Sequence, residues 1–324
     1  MEVQAQEKPR MKYADWAAQQ LQQHRKGTLS WLIERFITEL DQPGPGKKPT
    51  GISQRYTLRQ VGRSWFGQKL AAEIDNQDVI AYCKEQRERI QPATIEKHIS
   101  YVSGVLKYAS CWRDCKGISA KAIEDANAYL RKNHLIAKST PRKVRPTPEQ
   151  LQALIEHYQI SPRRKIPMHI VELWQNYSSR RISETCRLLW ADWNREDQTI
   201  LVRGMKDPRK RNKDKVVALT PQAQAMLVAL EPLQTTERIF PYNHKSCGAA
   251  HRDACKALGI KDLWLHDNRR DRATRLVEDD GYSCEEAILF TGHDSTQVYQ
   301  RNYLAMKPEL MKLGPRSKRE QSAA

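Results

Sequence analysis

Arg181, Lys206, His266, Arg269 and His293 precede two tyrosines, Tyr299 and Tyr303, along one chain. A phenol attacking a phosphodiester in line builds extra negative charge on a five-coordinate phosphorus, and these residue types answer each need of that step. Planar guanidiniums grip two phosphate oxygens through paired donors, a role that suits Arg181 and Arg269. A phenol ionises in water only near pH ~10, so surrounding cations are needed to favour phenolate as it attacks. Lys206, on a turn, could hand a proton to the departing 5′-oxygen. His266 and His293 could donate hydrogen bonds to the phosphate and assist proton movement. The resulting protein–phosphate link keeps the energy of the broken bond, so ATP is not needed. Side-chain cations stand where a metal would, and there is no Walker or carboxylate-cluster signature, so no metal and no other cofactor is expected.

Each piece alone has a plainer reading. Arg180 and Arg181 precede a helix, where arginine usually solvates a surface, and Ser183 with Glu184 reads as ordinary capping. The run Arg203, Lys206, Arg209, Lys210, Arg211, Lys213 and Lys215 fits a solvated hairpin tip as well as a DNA contact. His266 and Arg269 are three apart and share a helix face, which Arg270 and Arg272 make more cationic. His293 follows Gly292, a plausible helix C-cap, and Tyr299 and Tyr303 are spaced as packing residues of an amphipathic helix.

The elements that must position these groups fall into two parts. With 324 residues the chain exceeds one ordinary core, so two domains are expected. Residues 28–136 read as an all-helical bundle: Leu32, Ile33, Phe36, Ile37 and Leu40 share a face, helices are expected over 77–90 and 93–109, and Ile95, Ile99, Val102, Leu106 and Ala109 step by three or four. Residues 137–146 hold Lys138, Arg142, Lys143 and Arg145 between prolines with no apolar period, an extended, exposed linker that is either a solvated tether or a strap along a DNA backbone. Thr147-Pro-Glu-Gln150 then signals a helix start. A helix is expected across 183–190, strands over 199–203 and 215–219 joined by the basic turn, a helix from Thr220-Pro221, and further helices to about 313. Residues 1–27 form an extension and 314–324 a disordered tail. The fold class is mainly α with a small antiparallel β-sheet in the second domain.

Lys plus Arg number 55 against 38 Asp plus Glu, a formal charge of +17, which favours a polyanionic partner whose phosphates release counterions on binding. The hydrophobic share of 39% is interleaved with these charges at helical spacing, so cores can still form. The first twenty residues lack the apolar run of a signal peptide, and no stretch is long enough to span a bilayer, so no membrane partner and a cytoplasmic location are expected. The seven cysteines are odd in number and scattered, which fits reduced, buried thiols.

Taken in order, these motifs resemble the catalytic domain of the tyrosine recombinase (phage integrase) family. Its first arginine box, Thr-Gly-Leu-Arg-Ile-Ser-Glu, is similar to Ser178-Ser-Arg-Arg181-Ile-Ser-Glu184. Its turn lysine corresponds to Lys206, its His-x-x-Arg box to His266-Asp-Asn-Arg269, with Arg270 where histidine is common, and its Gly-His box to Gly292-His293. Tyr303, followed by Pro308-Glu309, resembles the nucleophile segment better than Tyr299, although it lies ten positions after His293, one more than usual. The resemblance is strong over 147–313 and looser over the helical bundle, whose 92–109 helix resembles the family's core-binding domain. It implies a catalytic set of Arg181, Lys206, His266, Arg269, His293 and Tyr303, and strand exchange through a 3′-phosphotyrosine intermediate at double-stranded DNA attachment sites by a tetramer of this chain. The element moved would be a phage or another mobile element in a bacterial or phage-infected cell, at the nucleoid. DNA contacts are expected from Arg180, Arg209, Lys210, Arg211, Lys213, Arg270, Lys138, Arg142, Lys143 and Arg145. An excisionase or DNA-bending protein stays open as a further partner. A type IB-like topoisomerase and a non-catalytic DNA-binding regulator on the same scaffold are the alternatives.

Overall fold

The computed structural model describes residues 21–42, 49–160, 165–205 and 213–304. Two compact units divide the chain between Thr140 and Pro141.

In the first unit, helices α1 (Leu29–Asp41), α2 (Ile52–Arg63), the single-turn α3 (Trp65–Gln68), α4 (Asn76–Arg87), α5 (Pro92–Ala109) and α6 (Lys121–Lys132) enclose one apolar core. Thr28 starts α1 by accepting the Trp31 N–H on its hydroxyl, satisfying a donor that a helix start leaves open. Leu29, Leu32, Ile33, Phe36 and Ile37 return at three- and four-residue steps and are all buried. Ile95, Ile99, Val102, Leu106 and Ala109 do the same in α5, and burying a large aliphatic side chain in this way stabilises by about 1.5–3 kcal/mol.

The second unit begins with α7 (Pro148–Gln159), where Thr147 and Gln150 cap each other reciprocally. Next, α8 (Met168–Ser178) buries Met168, Val171 and Trp174. The helix expected across 183–190 is instead the single turn α9 (Ile182–Thr185). The reason is a competing partner: the Leu188 carbonyl accepts from Ile239 N–H and the Trp190 N–H donates to the Glu237 carbonyl, so the backbone leaves the helix to bridge a distant segment. Strands β1 (Trp193–Asn194), β2 (Thr199–Met205) and β3 (Lys213–Ala218) form an antiparallel sheet in chain order. Ile200 faces Val217, and the register slips between Val202 and Met205, where Gly204 takes φ 61°. Helices α10 (Pro221–Leu230), α11 (His244–Ala257), α12 (Asp267–Glu278), α13 (Cys284–Thr291) and α14 (Thr296–Asn302) follow. Ala273, Leu276, Ala287 and Tyr299 join α12, α13 and α14 in a small cluster against which Tyr303 packs. The architecture is therefore mainly helical with one small antiparallel sheet, as the residue pattern predicts. Among the described residues no helix is long and apolar enough to cross a membrane.

Candidate active site

Helix α8 ends at Ser179 in the left-handed region, φ 55°, a conformation that costs a non-glycine residue roughly 1–2 kcal/mol. Two hydrogen bonds offset it. The Ser179 hydroxyl donates to the Arg269 carbonyl at 3.1 Å, and the Ser179 carbonyl accepts from Arg269 Nη1 at 2.5 Å. The turn that delivers Arg181 is thereby fastened to α12, which delivers Arg269. Arg181 sits at the start of α9, with its N–H donating to Glu184 Oε2 at 3.1 Å and its Nη1 to Glu184 Oε1 at 2.5 Å. Arg269 Nη1 lies 3.6 Å from the same carboxylate. One buried glutamate thus holds both guanidiniums on a common point. Burial would raise the Glu184 pKa, but Arg269, Arg180 and Arg181 outweigh it and pull it down to about 2, so it is ionised at neutral pH.

His293 follows Gly292, the C-cap of α13 at φ 74°. The φ requires glycine, and a Cβ there would also stand 2.7 Å from Met205 Cε and 3.3 Å from Arg180 Nη1, so the Met205 side chain would have to shift. The imidazole has Nδ1 at 2.7 Å from the Thr291 hydroxyl and Nε2 at 3.0 Å from Arg269 Nη2. Arginine can only donate, so Nε2 accepts and the proton sits on Nδ1, directed at Thr291. Burial and the nearby Arg269, Arg181, Arg180 and Lys215 hold His293 far below the usual imidazole range. In this arrangement His293 orients Arg269 rather than presenting a proton from Nε2. His266, at the start of α12, keeps solvent exposure. Crowding by the surrounding protein, with Arg269, Arg270 and Arg181, lowers it to about 4, a depression that solvent weakens.

Tyr303 lies at the end of α14, where these groups meet. Its ring centroid is 4.2 Å from His293 and 6.0 Å from His266, the Arg269 guanidinium lies over the ring at 5.1 Å, and Arg181 is close enough to feel the phenol's charge. Its carbonyl accepts from the Thr274 hydroxyl at 3.0 Å. Tyr299 is fully buried, with its hydroxyl donating to the Ala273 carbonyl, so its phenol is committed to the core.

Several expected DNA contacts are engaged within the protein. Arg180 is buried and donates to the carbonyls of Ser178 and Phe290. Its burial, with Arg269 and Arg181 nearby, lowers its pKa to about 9, and it stays charged. Arg270 is buried against Asp267. Arg142 donates to both oxygens of Asp267 at 3.1 Å and pairs with Asp262, while Arg145 pairs with Asp271 and Glu278 at 2.8 and 2.6 Å. The segment read as an exposed strap therefore has two of its arginines fastened to α12 and its approach, because buried carboxylates there require counter-charges. Lys138 and Lys143 are exposed. Lys213 pairs with Asp294 at 2.7 Å. Lys206, Arg209, Lys210 and Arg211 lie outside the described residues. Sequence reasoning gave Glu184 only a capping role and missed Thr291 as the orienting partner of His293. It placed Lys215 only in the basic run, without its link to His293, whose carbonyl accepts from Lys215 Nζ at 3.0 Å. The apolar-polar pattern carries no trace of such links.

The model of the phage integrase family matches residues 145–309. Solved structures of similar fold include the Tn1549 transposon integrase in complex with a circular intermediate DNA, with TM-score 0.65 and 14% identity over 92% of this chain and 100% of that one. The lambda integrase tetramer bound to a Holliday junction gives 0.64 and 16% over 91% and 82%. A lambda integrase dimer bound to a COC′ core site gives 0.64 and 17% over 89% and 99%. At these identities the likeness is one of fold. No curated protein matches the sequence.

Proposed function

The chain belongs to the phage integrase family, and from that premise we propose that it is a site-specific recombinase that cuts and rejoins DNA through a 3′-phosphotyrosine on Tyr303. The observation that carries this reading is the meeting of Tyr303 with Arg181, Arg269 and His293 around one phenol. A scissile phosphate entering there meets guanidiniums that Glu184 already holds in place, and their donors strengthen as charge builds on phosphorus. Arg181 and Arg269 favour the phenolate and hold the phosphate, His293 keeps Arg269 in orientation, and His266, open at the rim, assists proton movement. Lys206 protonates the departing 5′-oxygen. A 5′-hydroxyl of a second strand then attacks the phosphotyrosine and reseals the backbone. The integrases of similar fold are held on DNA, one as a tetramer on a Holliday junction, and the excess of Lys and Arg suits the same partner. On this reading the chain works as a tetramer at the attachment sites of a phage or other mobile element.

A nicked suicide duplex tests the proposal. The wild type should form an SDS-stable adduct that Tyr303→Phe abolishes and Tyr299→Phe retains. Arg181→Ala or Arg269→Ala should lose cleavage by more than about a hundredfold while still binding duplex, because each acts on the transition state more than the ground state. Absence of any wild-type adduct would mark a DNA-binding regulator, and relaxation of plasmid without a sequence requirement would mark a topoisomerase.

A further inference from the structure

Beside the active site, α11 and the approach to α12 line a groove of about 940 Å³. Its lining is mostly apolar but carries Lys245, Arg252, Lys256 and Lys261 against the single carboxylate Asp262, and its wall includes His266 and the largely buried His251 and Cys255. Cys255 Sγ is 3.4 Å from His251 Nε2, and His251 Nδ1 is 3.1 Å from Glu172 Oε2. The other Glu172 oxygen accepts from Asn268 Nδ2 at 2.5 Å, and Asn268 is the neighbour of Arg269 in α12. A thiol, an imidazole and a carboxylate in series form the arrangement that turns a cysteine into a nucleophile, since only thiolate attacks and an adjacent imidazolium stabilises it. Burial alone would lower the His251 pKa, but its contacts to Cys255 and Glu172 prevail and raise it to about 10, so the ring carries a proton at neutral pH. None of the active-site chemistry uses this relay.

The geometry points to Cys255 as a thiol that exchanges with small anionic disulfides drawn to the cations of the groove, the adduct then switching the neighbouring active site off. In the exchange, Cys255 thiolate attacks one sulfur of the disulfide. A Cys255–sulfur bond forms as the disulfide's own bond breaks, and the departing thiolate takes the proton held on His251. Cysteine is oxidised, and half of the small disulfide is reduced to a free thiol. The adduct replaces the Cys255–His251 contact, and the disturbance runs through Glu172 and Asn268 to the turn that aims Arg269. The switching part rests on the recombinase reading; the reactivity does not.

The full chain is incubated with oxidised glutathione at neutral pH, and adducts are located by peptide mass spectrometry. Cys255 should be modified about tenfold faster than Cys111, which is the more exposed thiol and lacks an imidazole relay. His251→Gln should abolish that advantage, and 2-hydroxyethyl disulfide, which is neutral, should react more slowly at Cys255 than the anionic probe does. Modification of wild-type Cys255 at or below the Cys111 rate overturns the proposal, whatever the variants do. On the nicked duplex, the modified protein should form adduct about tenfold more slowly and recover with dithiothreitol, and Cys255→Ser should be insensitive to the disulfide. Full cleavage by Cys255-modified protein overturns the switch. A protein that reacts at Cys255 yet never cleaves DNA fails the recombinase reading while leaving the reactive thiol standing.

Discussion

The first unit buries mostly apolar side chains, with Glu34 at 6% exposure as its buried charge, and pairs such as Lys107–Glu124 and Arg131–Glu96 lie where water reaches them. The second unit buries Glu172, Arg180, Glu184, Asp267, Arg269 and Asp271, none more than 6% exposed. An ion removed from water costs several kcal/mol before its partner repays any of it, so a fold built only for stability has no reason to do this. What buried, paired charge supplies is a fixed field: guanidiniums that no longer reorganise when an anion arrives. The difference teaches that the first unit is organised by packing, whereas the second adds to its own apolar core a set of buried charges that includes Arg180, Glu184 and Arg269 of the active site.

The sharpest way to break that contrast is to remove one carboxylate from each unit. Glu184→Ala leaves Arg181, Arg269 and Arg180 without their shared counter-charge and should cost about 3–5 kcal/mol. Glu34→Ala in the first unit removes a bidentate partner of Arg59, whose side chain is 34% exposed, and should cost about 1 kcal/mol because water reaches the guanidinium. Urea unfolding of both variants compares them, and equal losses would erase the distinction.

Alkaline pH provides a gentler probe. The folded pKa of His251 is raised from 6.5 to about 10, so its contribution to stability is complete below pH 6.5 and is lost as pH rises through about 10. Thermal melts across that range should show the second unit weakening in the wild type and a flatter profile in His251→Gln. In acid the sign reverses. His266 is lowered from 6.5 to about 4 and Glu184 from 4.5 to about 2, so the stability each contributes above its ordinary value is lost as pH falls, His266 first. A second unit whose melting is level from pH 7 to 3 would contradict this. Within the first unit, Ile95→Val removes one fully buried methylene and should cost about 1 kcal/mol, a packing effect independent of pH. Smallest of all, Ser179→Gly relieves the positive φ and loses the bond to the Arg269 carbonyl. These terms oppose each other within about 1 kcal/mol, as chemical denaturation should show.

The packing-driven part of the molecule was the more legible. Leu29 to Ile37 and Ile95 to Ala109 announce their helices because apolar residues recur at the helical period. Capping residues such as Thr147 and Thr220 mark helix starts through chemistry local to a few residues. A motif order shared with a family also singled out Arg181, His266, Arg269, His293 and Tyr303, residues that the fold brings near one another. Burial of charge was not. Arg180, Arg270, Arg142 and Arg145 read as surface cations because arginine is usually solvated, and their carboxylate or carbonyl partners come from segments far along the chain, as Arg145 and Glu278 show. Glu172, His251 and Cys255 form a relay only after α8 and α11 pack together, and no spacing rule joins positions so far apart.

The hydroxyl of Thr274 holds the Tyr303 segment by its main-chain carbonyl, sharing its donor with the carbonyl of Arg270. Because that tether grips the backbone and not the ring, replacing the phenol leaves the hold of α12 on this segment in place.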